Sequence, residues 1–210
     1  MRPTAMPSPG DSLILASTSR YRAELLLRLR VPFSQRAPEV DEARLADESP
    51  AALALRLAAE KARAVSRLSP QSWVIGSDQV CALRDEALGK PGTPHAARAQ
   101  LQRLSGEAAV FHTAVCVIAP GGLEQVCNVP TEVEFRILTL MEIDAYLELD
   151  APFDCAGSAR SEALGPALLK HMRSDDPTAL VGLPLIAVCD MLRNSGFDVL
   201  QRALQHTPVT

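Results

Sequence analysis

Ser12-Leu13-Ile14-Leu15-Ala16 is a short apolar run closed by polar residues, and from Ser19 to Arg30 the apolar positions Leu25, Leu26 and Leu29 recur at helical spacing. The pair predicts a strand, a tight loop and a helix. Val31-Pro32-Phe33 ends that helix, and Pro38-Glu39-Val40-Asp41-Glu42 reads as an acidic loop. Ser49-Pro50 supplies an N-cap and a Pro at the first helical position, opening a helix that runs to about Leu68. Trp73-Val74-Ile75-Gly76 predicts a buried strand that stops at Ser77-Asp78-Gln79 and resumes over Val80 to Leu83, ahead of a turn at Arg84-Asp85-Glu86. Thr93-Pro94 starts another helix, ending near Leu104 and Gly106. Two strand-like stretches, Ala109 to Ile118 and Leu123 to Leu138, flank a hairpin at Pro120-Gly121-Gly122. Thr139 with Glu142 forms a capping box for a helix reaching about Leu149. A polar, Gly-rich stretch follows from Asp154 to Gly165, and Pro184 to Asn194 makes the last good helix, stopped by Gly196. The order βα(loop)αβαββα(loop)α favours an α/β fold with a mixed sheet.

Composition narrows the class. Of 210 residues, 47% are apolar and 22% charged, the balance of an ordinary globular chain with enough interior for a sizeable core. That length suits one domain of two small lobes around a shared cleft, expected over residues 12–204, with a flexible extension over 1–11 and a tail over 205–210. A formal net charge of −4 excludes the strong basic footprint of a non-specific nucleic-acid binder, so no nucleic-acid partner is expected. Cys81, Cys116, Cys127, Cys155 and Cys189 are scattered, with no CxxC pair, and read as reduced thiols of a cytoplasmic protein. Met1 to Asp11 lacks the apolar core of a secretory signal and no later run could cross a bilayer, so neither export nor a membrane partner is expected.

Four places could carry chemistry. Ser17-Thr18-Ser19-Arg20-Tyr21-Arg22 lies between the first strand and the first helix, where free backbone N–H groups and the positive helix end favour an anion. Taken alone it reads first as an N-cap serine with solvated arginines. Glu60-Lys61 and Gly89-Lys90-Pro91 each put a lysine near an element boundary, and a lone lysine is usually a surface charge. Asp78 stands apart, because a carboxylate directly after Trp73-Val74-Ile75-Gly76 sits where α/β sheets present catalytic groups.

These pieces occur together in one order: LILASTSRYR, APEVDE, AAEKA, VIGSDQV, LGKP, LSG, FDCAGSARSEALG and LVGLP. In content and spacing the set resembles the Maf family over roughly Leu13 to Leu192. The resemblance implies an ITPase-like mixed, elongated sheet with helices, two lobes around a central cleft, and hydrolysis of a nucleoside triphosphate to monophosphate and pyrophosphate. It implies phosphate-handling roles for Ser17, Arg22, Glu39, Lys61 and Lys90, with Asp78 as general base. Asp78 and Glu39 offer hard oxygens for a divalent cation, Mg²⁺ or Mn²⁺, that would help offset the substrate's charge. Where relatives often have Pro after the second Ser, this chain has Arg20. The resemblance leaves a homodimer open.

Branches of the family differ at the positions held here by Tyr21, Gln79 and Glu162, and this combination resembles the branch acting on 7-methyl-GTP. The chemistry agrees: N7-methylation gives guanine a delocalised positive charge, which an aromatic face can attract, while a carboxylate can accept from guanine N1–H and the exocyclic amine. Two alternatives stay open on the residues. One is a pyrophosphatase of the same family acting on dTTP, UTP or another nucleotide. The other is a nucleotide-binding regulator of cell division that does not turn over.

Overall fold

The chain, described over residues 12–206 in a computed structural model, opens with β1 (Leu13–Ala16) and α1 (Arg20–Leu27). The extension expected over 1–11, and the tail from 207 onward, lie outside the described residues. Ser19 caps α1 by accepting the Arg22 N–H, as its position before the leucine periodicity predicts. A two-residue strand, β2 (Ser34–Gln35), precedes the acidic loop, and α2 (Pro50–Ser66) then starts on the Ser49 cap with Pro50 in its first turn. Next come β3 (Trp73–Leu83), its hairpin partner β4 (Glu86–Leu88), and α3 (Pro94–Leu104) on its Thr93 cap. Two long strands follow, β5 (Ala108–Ile118) and β6 (Glu124–Phe135), then α4 (Leu140–Asp150), whose Thr139–Glu142 capping box forms as the spacing predicts. The remainder is β7 (Leu169–Ser174), α5 (Leu185–Asn194) and α6 (Val199–His206), with short 3₁₀ turns between.

The strands form one mixed sheet in the order β2-β1-β3-β5-β6-β7, with β4 on β3. β1 runs parallel to β2 and β3, and the other pairings are antiparallel. β3, β5 and β6 are long enough to cross two apolar centres. At one end, Leu15, Leu25, Ile75, Val117 and Val188 pack on one face of the sheet, and Ile14, Leu57, Val74 and Cys116 on the other. At the far end, Cys81, Leu101, Phe111, Phe135 and Ile143 form a separate core under α3 and α4. On one face of β3, Ser77 and Gln79 fall between Ile75 of the first centre and Cys81 of the second; on the other, Asp78 is flanked by Val74 and Val80, both of the first.

Three differences from the pattern-based reading have physical causes. β3 does not break at Ser77-Asp78-Gln79, because those residues pair with Val115, Ala114 and Thr113 of β5, and pairing overrides the local polarity. β7 has no counterpart in the pattern, since its sequence LKHMRS is largely exposed and shows no buried run; it exists through pairing with Thr131 to Phe135 of β6. α6 carries the chain helically to His206, where the pattern ends the last helix before Gly196 and begins a tail at 205.

The seat of α2 on β3 positions the chemistry. Ala54, Ala58 and Ala62 form a small-residue stripe along α2, all fully buried. The stripe meets Gly76, where a Cβ would strike the Ala58 carbonyl oxygen and stand 2.6 Å from the Ala62 nitrogen. Helix and strand therefore touch backbone to backbone, and Lys61, next to Ala62, is held over the same face of β3 that carries Asp78.

Candidate active site

Residues 76 and 78 share one face of β3, and residues 77 and 79 the other. On the first face, Lys61 Nζ lies 2.6 Å from Asp78 Oδ1 and 2.6 Å from Glu42 Oε1. Lys61 and Asp78 are both buried, at 6% and 8% exposure, whereas Glu42 reaches in from the exposed acidic loop. An ammonium this enclosed needs both partners, so it fixes the Asp78 carboxylate in one orientation. Burial raises the Glu42 pKa, but the hydrogen bond from Lys61 and the charges of Lys61, Lys90 and Arg22 outweigh it, and the net direction is down. Lys90 is exposed, just beyond β4, and within electrostatic reach of Glu42.

Arg22 comes from the first turn of α1. Its Nε donates to the Gly182 carbonyl at 2.9 Å and its Nη1 lies 3.4 Å from Ser17 Oγ, which also accepts the Ser19 N–H. Burial pulls the Arg22 pKa down, partly offset by the charges of Asp78 and Glu42, so the guanidinium is within electrostatic reach of the same carboxylates. Ser17, Arg22, Lys61, Asp78 and, through its charge, Lys90 thus come together as the sequence suggests. Glu39 does not join them: it is exposed and makes no ion pair or hydrogen bond among the described residues. The loop carboxylate that meets Lys61 is Glu42, three residues on. An irregular loop has no periodicity to tell which of its acids turns inward, so nothing in the local pattern singles out Glu42.

The other face of β3 meets the 179–182 loop. Ser77 Oγ lies 3.0 Å from the Gly182 carbonyl, and Gln79 Nε2 is within 3.1 Å of the Ala179 and Leu180 carbonyls and of Thr113 Oγ1. Gln79 therefore anchors the 179–182 loop, and that loop in turn orients Arg22 through Gly182. No hydrogen bond among the described residues links Gln79 to Tyr21 or Glu162.

Tyr21 and Glu162 converge elsewhere on the site. Arg20 donates to Tyr21 Oη at 2.7 Å and sits over the ring with Cζ 4.7 Å from its centroid; Arg160 Cζ is 5.7 Å from the same centroid. Arg160 Nε lies 3.8 Å from Glu162 Oε1, and Asp154 and Cys155 complete the surroundings. Burial pushes the Cys155 thiol up to about 12, so it is a protonated, unreactive neighbour.

Among the described residues no cluster of three or more His, Cys, Asp or Glu forms a metal cage. Asp78 and Glu42 meet at the Lys61 ammonium, which takes one oxygen of each; the second oxygen of each carboxylate is a hard donor of the kind a Mg²⁺-like ion takes.

Lys61→Ala is expected to lower stability by about 3–5 kcal/mol and activity with it, because it strands the buried Asp78 carboxylate. Lys90→Ala, at an exposed charge, should leave the melting temperature within about a degree or two and raise KM. Thermal melts and steady-state kinetics separate the two; equal melting temperatures would mean that Lys61 is not buried against Asp78.

In this α/β protein a buried lysine bridging two carboxylates lies near a helix start that carries an arginine and hydroxyls. Comparison with known proteins gives the class its family: the Maf-like protein family matches residues 12–195, and the chain belongs to it. The 7-methyl-GTP pyrophosphatase of Thiobacillus denitrificans is 53% identical over 196 residues, covering 93% of this chain and 98% of that protein. Those of Cupriavidus metallidurans and Xanthomonas campestris are 52% and 54% identical over 187 residues, each covering 89% of this chain and 94% and 97% of their own. Among solved structures, a nucleoside-triphosphatase (dITP/XTP pyrophosphatase) from Mycobacterium abscessus aligns with 87% of this chain and 93% of its own at 15% identity and a TM-score of 0.43.

Proposed function

We propose that this chain hydrolyses 7-methyl-GTP to 7-methyl-GMP and pyrophosphate. The observation that carries the reading is the pairing, within one site, of the Lys61–Asp78–Glu42 centre with a tyrosine ring that already gathers two cations, Arg20 and Arg160. The names of the relatives support the same substrate.

Asp78, oriented by Lys61, accepts a proton from a water whose oxygen bonds to the α-phosphorus. The bond from that phosphorus to the bridging oxygen breaks, and pyrophosphate departs with the electron pair. Arg22 and Lys90 offset the phosphate charge, and the N–H groups at the start of α1 add donors beside Ser17. A divalent cation held by Asp78 and Glu42 would supply further charge neutralisation at the phosphates. Tyr21 stacks on the charged purine, and Glu162 accepts from its Watson–Crick edge. Free thiols at all five cysteines and the absence, among the described residues, of a helix long and apolar enough to cross a membrane accord with action in the cytoplasm.

The test is a panel of 7-methyl-GTP, GTP, UTP and dTTP, with released pyrophosphate measured with and without Mg²⁺ or Mn²⁺. Tyr21→Ala combined with Glu162→Gln should lower kcat/KM for 7-methyl-GTP more than for GTP or UTP, by about 2–4 kcal/mol. Equal losses on every nucleotide would remove those residues from base recognition. Orthophosphate as first product would place the cleavage elsewhere.

A further inference from the structure

Arg160 is not a solvated loop arginine. Its backbone is clamped on both sides: the N–H donates to Tyr146 Oη at 3.0 Å, and the carbonyl accepts the Gly165 N–H at 2.9 Å. Gly165 permits that close turn because it lacks a Cβ, which would stand 2.6 Å from the Arg160 carbonyl carbon. The side chain is fixed as well. Nη1 donates to the Asp150 carbonyl at 2.7 Å, one of the unpaired carbonyls at the C-terminal end of α4, where a cation is favoured. What remains is Nε, a buried donor with no hydrogen-bond partner, aimed within 3.8 Å of Glu162 Oε1, while the guanidinium carbon lies 5.7 Å from the Tyr21 centroid.

A buried N–H left unpaired is costly unless a partner moves onto it, and the acceptor at hand is the Glu162 carboxylate. We infer that Arg160 is a positioning residue for base recognition: bracketed on α4, it holds one Glu162 oxygen and sets that carboxylate's distance from the Tyr21 ring, leaving the second oxygen for the base. This role deepens the proposed 7-methyl-GTP hydrolysis and rests on it. Tyr21 and Glu162 belong to distant parts of the chain, and the Arg160 side chain reaches both. A base inserted between ring and carboxylate meets a gap of preset width, and less ordering remains to be done on binding.

The test is a double-mutant cycle with kcat and KM measured separately for 7-methyl-GTP and GTP on the wild type, Arg160→Ala, Arg160→Lys, Glu162→Gln and Arg160→Ala/Glu162→Gln. Arg160→Ala should raise KM for 7-methyl-GTP roughly 10–100-fold, the scale of one charge-assisted hydrogen bond, with kcat nearly unchanged. Arg160→Lys should recover part of that loss. In the double variant the two effects should not multiply, because each removes the same contact. Multiplicative effects would overturn the inference, and so would an Arg160→Ala loss in kcat shared by both nucleotides and unrelieved by Arg160→Lys, which marks a fold role alone. Should Arg160→Ala fail to fold, the cycle is run with Arg160→Lys in its place and read in the same way. If the wild type prefers another nucleotide, the proposed substrate fails. The cycle is then read on the preferred nucleotide, where independence of the two variants separately overturns the role of Arg160.

Discussion

Asp78→Asn lowers turnover roughly 10²–10⁴-fold, the range for loss of a general base, and leaves the fold in place. The asymmetry follows from the two bonds made by Lys61. Asparagine keeps an oxygen for Lys61 Nζ at the position of Oδ1, and Glu42 still supplies a full negative charge 2.6 Å from the same ammonium. The buried cation therefore stays paired, while the group that takes the proton from water is gone. Kinetics with the preferred nucleotide, a thermal melt and the affinity for a non-hydrolysable analogue check this together. Near wild-type turnover would mean that the base lies elsewhere, and a collapsed melting temperature would mean that Glu42 does not hold Lys61.

The second large effect is on stability. Gly76→Ala adds a methyl group where α2 meets β3, against the Ala58 carbonyl and 2.6 Å from the Ala62 nitrogen. Backbone atoms cannot change rotamer to make room, so α2 must lift off the strand. A cost toward the top of the usual overpacking range, about 3 kcal/mol, corresponds to a fall in melting temperature of roughly 6–12 °C for a chain of this size. Activity should fall further than stability alone explains, because α2 carries Lys61. Gly89→Ala is the control: a Cβ there meets nothing within 4 Å, and its melting temperature should match the wild type. A Gly76→Ala protein as stable as that control would contradict the contact.

How much of the molecule is legible in the chain depends on where the determining forces are local. Ser49-Pro50, Thr93-Pro94 and Thr139 with Glu142 announce their helices correctly, because capping is settled within four residues. β7 is not legible, since an edge strand with largely exposed side chains owes its existence to pairing alone. In the site, Lys61 and Asp78 can be suspected from element boundaries, but that they touch depends on the alanine stripe of α2 fitting Gly76, a tertiary match. The choice between Glu39 and Glu42 is decided by the course of an irregular loop, which no residue pattern encodes. Gln79, to which the resemblance gives a part in substrate choice, donates its amide to the 179–182 loop, a tertiary contact that no local pattern shows. Arg160 leaves no mark in the local pattern because its side chain is held by the Asp150 carbonyl and lies near a ring far away in sequence, so its nearness to Glu162 alone does not set it apart.

The outer margin of β6 has a consequence for solubility under stress. β7 covers β6 only from Thr131 onward, and among the described residues no other strand pairs with that side of the stretch from Glu124 to Pro130, which is a rim of the sheet. Such a rim invites a strand from another molecule, the first step of edge-to-edge aggregation. Pro130 interrupts it: its carbonyl lies 3.4 Å from Ser174 Oγ on the β7 side, so the direction from which an incoming strand would seek an N–H finds a ring carbon instead. Glu124, paired with Arg63 at 2.6 Å, guards the other end with charge. Replacing Pro130 with valine would extend a β-branched, hydrogen-bonding border, and the molecule would become more prone to form intermolecular sheets on heating.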